Sequence, residues 1–287
     1  WGQQDCLEQW LNRVLMLKAE TSHPAKPQEA YSIMMVSREQ LSQNMDLLKQ
    51  VYTLLINAHY RTRPSDLRQL MDNEHQQLLL AQAGGRVVGL LQLNLEGGFS
   101  AQLSEQVFMG RRRPQGHLFA QMITAQAGVR DFACFRGLRV QRIAVDADYR
   151  LCGIGRELIK AAQQMVQEQQ LDYLASSFAI DPGVTSFWQK LGFSLLHISS
   201  GSGTSSGRQT VAVMRALSPS AEKVTAQLQH KLKNYLPLWL YGYCRFMYCS
   251  DVLAIIRLAD IEYEFSQQDE DEIDAFAHGF RGLELSQ

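Results

Sequence analysis

The run Val140-Gln141-Arg142-Ile143-Ala144-Val145, followed after a short acidic turn by Arg150-Leu151-Cys152-Gly153-Ile154-Gly155-Arg156, has the residue types and order of a strand, a glycine loop and a helix start. Residues 138 to 142 alternate apolar and polar, and 143 to 145 are all apolar. From Ile154 the apolar positions switch to helical spacing through Leu158, Ala161, Ala162, Met165 and Val166. Gly153 and Gly155 remove side chains where a ligand would approach the backbone, and the first amides of a helix have no acceptor inside it. Such amides bind phosphate oxygens, so the chemistry expected here is capture of a pyrophosphate.

The spacing Arg-x-x-Gly-x-Gly after a strand resembles the acyl-CoA signature of the GCN5-related N-acetyltransferases. Alone it is a short pattern, and an ordinary strand-to-helix turn would also carry it. A dinucleotide-binding turn fits less well, since the third glycine is absent and no acidic residue ends a second strand at the required distance.

Composition narrows the field. With 287 residues, 46% of them hydrophobic, the chain can bury one sizeable core and a smaller appendage. A formal net charge of -1 argues against general coating of polyanions, so nucleic-acid contact would come from local patches. The cysteines at 6, 134, 152, 244 and 249 form no Cys-x-x-Cys pair and no metal-ligand spacing with the histidines, so buried thiols in a reducing, cytoplasmic compartment are expected, with no metal. The most apolar window, Leu236 to Cys249, is broken by Pro237, Gly242 and Arg245, and no bilayer-crossing segment is expected. The chain begins at Trp1 without a signal-peptide pattern, as a piece cut from something longer would.

The elements that must position the glycine loop follow from periodicity. Residues 1–28 read as a helical stripe (Leu7, Trp10, Leu11, Val14, Leu15) and a linker containing Pro24 and Pro27. Tyr31 to Val36 reads as a strand, Leu41 to His59 as one long helix, and Ser65-Asp66 after Pro64 as the start of a short one through Leu70. Leu78 to Ala83, Gly84-Gly85 and Val87 to Leu95 read as a hairpin. A long insertion between Gly97 and Gly137 holds Arg111-Arg112-Arg113-Pro114 and a helix from Leu118 to Ala127. After the loop come a strand at 171–178, a helix at 184–191, strands at 193–198 and 210–216, and a Gly/Ser-rich loop between the last two. That order predicts an α/β chain with the acetyltransferase fold, a mixed central sheet flanked by helices, over 29–218. A small, mainly helical unit is expected over 219–287, where Asp269-Glu270-Asp271-Glu272 reads as a solvated helix start.

Several longer runs are similar to one family, the tRNA(Met) cytidine acetyltransferases. They are Ala58-His59-Tyr60-Arg61-Thr62-Arg63-Pro64 with Asp66-Leu67-Arg68; Arg112-Arg113-Pro114-Gln115-Gly116-His117-Leu118 with Ala120-Gln121; Arg142-Ile143-Ala144-Val145; Phe187-Trp188-Gln189-Lys190-Leu191-Gly192-Phe193; and Ser205-Ser206-Gly207. The resemblance covers nearly the whole chain. It implies acetyl transfer from acetyl-CoA to the N4 amine of the wobble cytidine of elongator methionine tRNA. Members carry an upstream ATP-driven module with a Gly-x-x-x-x-Gly-Lys-Ser/Thr loop, which is not found in this sequence; Trp1 to Glu20 resembles that module's last helix. ATP is therefore expected to act only through the absent module, and the chain is expected to be a monomeric fragment holding the transferase domain and part of a tRNA-binding tail.

The resemblance also assigns roles. Ile143, Ala144 and Val145 would line the pantetheine arm, with a backbone amide available to the thioester oxygen. The loop Arg150, Leu151, Cys152, Gly153, Ile154, Gly155 and Arg156 would hold the diphosphate, and Lys190 matches a cofactor contact; a lysine ending a helix is also commonly just solvated. His59 and Tyr60 match a His-Tyr pair beside the acceptor, with His59 a proton acceptor; the other reading is a histidine that favours its helix end. Trp188 stands where many relatives have a thiolate-protonating tyrosine, and an indole N–H has no useful acidity. Gly183 stands where one member of the family has a glutamate, which leaves any ligand role there in doubt. For RNA, the candidates are Arg61, Arg111, Arg112, Arg113, Arg139, Lys231 and Lys233, joined by Arg136, Arg142 and His230, with Tyr235 nearby for stacking. A wobble cytidine is already unpaired, which lowers the cost of presenting its amine. Two other readings stay open: transfer to a protein or small-molecule amine, and a tRNA-binding fragment without turnover.

Overall fold

The computed structural model describes residues 30–58, 64–202, 207–259 and 266–279. In chain order these form β1 (Tyr31–Val36), α1 (Arg38–Gln43), α2 (Met45–Ala58), α3 (Pro64–Asp72), β2 (Gln76–Ala83), β3 (Arg86–Gly97), α4 (Ala101–Phe108), α5 (Leu118–Gln121), β4 (Arg136–Val145), α6 (Ile154–Glu168), β5 (Tyr173–Ala179), α7 (Pro182–Lys190), β6 (Ser194–Ser202), β7 (Gln209–Ala216), α8 (Pro219–Tyr241), α9 (Cys249–Leu258) and α10 (Gln267–Ala277). Among the described residues the sheet has seven strands in the order β1-β2-β3-β4-β5-β7-β6. Every neighbouring pair is antiparallel except β4 and β5. The sheet is therefore mixed, as the element order predicts.

Local chemistry explains the element boundaries. Gly84 and Gly85 take φ of 55° and 78°, the conformation that a two-residue hairpin turn demands. The helix predicted from Leu41 to His59 is broken at Asn44: its backbone is extended, and its Oδ1 accepts from the Leu47 amide at 3.0 Å, so it ends α1 and starts α2. The helix predicted from Leu118 to Ala127 runs as α only to Gln121 and continues as a π turn over Met122–Gln126, closed by the Ala127 amide on the Met122 carbonyl at 3.1 Å. The acidic cluster begins α10, where Ser266 and Asp269 form a reciprocal capping box.

A β-bulge organises the core. Between β3 and β4 the register slips at Gln92/Leu93, so that Gln141 has no opposite residue. The slip exchanges the two faces of β4: Val140 packs with α6 in the main apolar cluster, whereas Ala144 packs with Val51, Leu54 and Leu55 of α2. Gly89 lets α6 lie close on β3, because a Cβ there would stand 2.7 Å from Ile154. The insertion and the first half of α8 cover the remaining part of the α2 face, with Phe119, Phe132 and Tyr173 packed together and Leu228 joining them. Further along α8, Leu232 and Leu236 join Ile255 and Leu258 of α9 in the cluster of Trp188, Leu195 and Val213. The tail's apolar residues thus continue the main core, each fully buried leucine stabilising by roughly 1.5–3 kcal/mol.

Candidate active site

The parallel pair β4–β5 is short. Its register runs from Gly137↔Tyr173 only to Val140↔Ser176, although β4 continues to Val145 and β5 to Ala179. Beyond Val140 and Ser176 the strands part and leave a cleft. The Asp146 amide donates to the Val88 carbonyl at 2.9 Å, so the antiparallel alternation turns the N–H and C=O of Ala144 toward β3. By the same alternation those of Ile143 and Val145 turn away from β3, toward the cleft. Two of the three backbone positions predicted on β4 thus present an open strand edge.

At the mouth of this cleft Leu151 has φ of 64° and Gly153 φ of 85°. A left-handed leucine that is fully exposed costs roughly 1 kcal/mol without a packing return, a kind of strain that clusters at ligand sites. Left-handed Gly153 followed by the right-handed helical Ile154 turns the amides that start α6 to one side, forming an anion nest. Gly153 is the N-cap of α6 and offers no side-chain acceptor; the helical ladder begins only with the Glu157 amide on the Gly153 carbonyl, so the amides of Ile154, Gly155 and Arg156 have no acceptor within the helix. A Cβ on Gly155 would meet Phe187 at 3.4 Å and Ile143 at 3.8 Å, so this glycine joins the loop, β4 and α7 in one place. Arg150, Cys152 and Arg156 are exposed, and Arg156 pairs with Glu157 at 3.3 Å. Lys190 is exposed in the last turn of α7, three residues after Phe187.

Trp188 is 2% exposed and locked against Phe178, Phe187 and Phe193, so it packs the wall of the site. Gly183, in the first turn of α7, donates its amide to Asp181 Oδ1 at 2.9 Å and serves the helix cap.

The insertion is anchored by a residue that sequence patterning passed over. Glu96, 1% exposed on β3, accepts from the amides of Phe119 and Ala120 at 2.7 and 3.2 Å and pairs through its other oxygen with Arg139. Beside it the Gly97 amide donates to His117 Nδ1 at 3.0 Å, which leaves the proton of the neutral ring on Nε2. Burial, opposed by Glu96 and aided by His75, holds His117 below its ordinary pKa.

The residues predicted to meet RNA separate into two sets. Arg111, Arg112 and Arg113 are exposed on the turn after α4, and Lys233 is exposed on α8. Arg139 is committed to Glu96, and Lys231 donates to the Ala127 carbonyl at 2.8 Å, bracing α8 on the insertion. His230 is bonded to Asn234 at 3.0 Å. His59, Tyr60 and Arg61 lie outside the described residues. Among the described residues no group of His, Cys, Asp and Glu is arranged to hold a metal, and no helix is long and apolar enough to cross a membrane.

A mixed sheet whose parallel pair parts beside a glycine-capped helix defines a GNAT acetyltransferase domain. In agreement, a family model described as GNAT acetyltransferase 2 matches residues 50–169. Among solved structures, an agmatine N-acetyltransferase mutant in its apo form is similar at 15% identity and a TM-score of 0.48, over 66% of this chain and all of that one.

Sequence relatives narrow the class. The chain is 33% identical over its whole length to a tRNA(Met) cytidine acetyltransferase of Photorhabdus asymbiotica and 34% identical to that of Yersinia pestis, covering 41% of each. These matches place the chain in the tRNA(Met) cytidine acetyltransferase family, and it spans about two-fifths of the length of those curated relatives.

Proposed function

We propose that the chain transfers the acetyl group of acetyl-CoA to the N4 amine of the wobble cytidine of elongator methionine tRNA, giving N4-acetylcytidine in the cytoplasm. In the whole protein an upstream module would add the ATP dependence. The observation that carries this reading is the cleft itself: an unpaired β4 edge at Ile143 and Val145 that ends at a nest of uncommitted amides. The family relationship supplies the acceptor.

The site fits the cofactor's chemistry. Gly153 and Gly155 leave the backbone of the loop approachable, and the amides of residues 153–156 at the start of α6 suit a diphosphate. Arg150 and Arg156 stand close enough along the chain to add charge-assisted hydrogen bonds. Ile143 and Val145 suit an extended amide-bearing arm, bonding it as an added strand. Bound acetyl-CoA supplies an activated thioester. One of these amides would stabilise the carbonyl oxygen as it gains negative charge, while the new N–C bond forms and the C–S bond breaks.

His59 would accept the proton leaving N4, with Tyr60 beside it. Trp188 cannot return a proton to the thiolate, which takes one from water or another group or leaves unassisted. Arg111, Arg112, Arg113 and Lys233 would meet phosphates of the anticodon arm.

The test is incubation with acetyl-labelled acetyl-CoA and either elongator methionine tRNA, bulk protein or polyamines, with and without ATP, followed by digestion of the RNA to nucleosides. Label in N4-acetylcytidine is the expected result; label only in amines contradicts the proposal.

A further inference from the structure

A second concave site lies at the edge of the sheet, apart from the cleft. Tyr235, Trp239 and Tyr243 follow one another at intervals of four along α8 and just past its end. Tyr235 and Trp239 stack at 6.4 Å between centroids with planes 23° apart, and Trp239 and Tyr243 are 5.9 Å apart at 40°. These rings form one wall of an open cavity of about 530 Å³, whose other lining includes His197 on β6, Gln126 of the insertion and Lys231.

His197 is only 8% exposed, yet its Nε2 has no hydrogen-bond partner among the described residues. A buried polar atom left without a partner costs roughly 1–3 kcal/mol, and such atoms call for a ligand or a function. Burial, helped by Lys231, lowers the His197 pKa to about 4, so the ring is neutral near pH 7 and offers one nitrogen to a neutral hydrogen-bonding edge. Lys231 has spent one ammonium proton on Ala127 and keeps two. Among the described residues no carboxylate lines the cavity.

Stacked rings, one cation and one unsatisfied ring nitrogen match the three parts of a nucleotide: its flat face, its phosphate and its polar edge. The coenzyme's own adenine is not the occupant that the geometry suggests. His197 pairs with Ala212 on the face covered by the insertion, whereas the nest begins α6 on the opposite face. The site is nonetheless level with the cleft. Ser177, Ala212 and His197 form one row across β5, β7 and β6, immediately beyond the parting of β4 and β5 at Ser176. Two strand spacings, about 10 Å, separate β5 from His197 along that row, within the span of a short RNA loop.

We propose that this cavity holds an unpaired base of the acceptor RNA, other than the cytidine that is acetylated, stacked on Tyr235 and Trp239 with its polar edge at His197 and its phosphate near Lys231. The proposal rests on RNA being the acceptor.

It is tested with the 287-residue chain and two RNAs of equal length, a hairpin with an unpaired cytidine-containing loop and a fully paired duplex. Tyr235→Ala and Trp239→Ala should each weaken hairpin binding roughly tenfold, the usual loss of one stacked base. Trp239→Phe should restore most of it, and binding of the duplex and of acetyl-CoA should not change. Tyr235 is half exposed, so its variant keeps the test informative if loss of Trp239 disturbs the fold. Hairpin binding at wild-type strength by both alanine variants overturns the proposal while leaving RNA as acceptor, and so does an equal loss for hairpin and duplex. Failure of the wild-type chain to bind either RNA overturns the acceptor reading, and this proposal with it.

Discussion

The Ser176 hydroxyl of β5 donates to the Val140 carbonyl of β4 at 3.4 Å, and this bond sits at the last paired position between the two strands. On one side of it the sheet is continuous. On the other Ile143 and Val145 turn their peptide groups into open space, and the chain then enters the nest formed around Leu151 and Gly153. The cleft is thus made by ending a strand pairing rather than by carving a pocket from side chains.

The two glycines of the loop differ in what they do, and substitution separates them. Gly153 needs positive φ but has open space around its missing side chain, so Gly153→Ala should lower stability by roughly 1–2 kcal/mol through backbone strain and weaken acetyl-CoA binding as the nest shifts. Gly155 is helical and meets Phe187 only at 3.4 Å, so Gly155→Ala should leave the melting temperature within a few degrees while still weakening acetyl-CoA. Thermal melts paired with calorimetric titration of acetyl-CoA check both. Equal melting temperatures for the two variants would refute the distinction.

Glu96 should matter to the insertion out of proportion to its distance from the cleft. Glu96→Ala removes the acceptor of two amides and strands the Arg139 guanidinium, whose side chain is 12% exposed. Breaking a buried pair from one side costs roughly 3–5 kcal/mol. Urea unfolding should show a loss of that order, with limited proteolysis entering between Gly97 and Gly137. Unfolding at the wild-type midpoint would contradict the anchoring role.

The depressed pKa of His197 makes stability depend on pH in a definite direction. The folded protein keeps the ring neutral down to about pH 4, whereas the unfolded chain takes up a proton near its ordinary value of 6.5. Stability from this group is therefore complete above pH 6.5 and is lost as pH falls from there toward 4, by at most roughly 3 kcal/mol. His197→Gln should flatten the fall in urea stability measured between pH 7 and pH 4.5. Parallel pH profiles for variant and wild type would show that His197 is not the group responsible.

What the sequence revealed and concealed follows from the range of each interaction. The hairpin at Gly84-Gly85 and the turn at Gly153 are local: the glycines and the change of apolar period stand within a few residues of each other. The break at Asn44 hides inside an apolar stripe that continues on both sides, because only the side chain's bond to Leu47 interrupts it. Glu96 and Arg139 are 43 residues apart, so a polar residue on each strand gave no sign that the two meet. The parting of β4 and β5 was hidden for a similar reason, since no residue of either strand marks where their pairing stops. His197 and Trp239 came together only through the path of α8 across the sheet edge, a tertiary event without a local signature.

Amide hydrogen exchange with and without acetyl-CoA examines the cleft most directly. The expected result is slowed exchange at Ile143, Val145 and residues 153–156 on adding acetyl-CoA, with no change at Ala144, whose N–H is already bonded toward β3. Binding of acetyl-CoA with those amides unchanged, and protection appearing elsewhere, would contradict it.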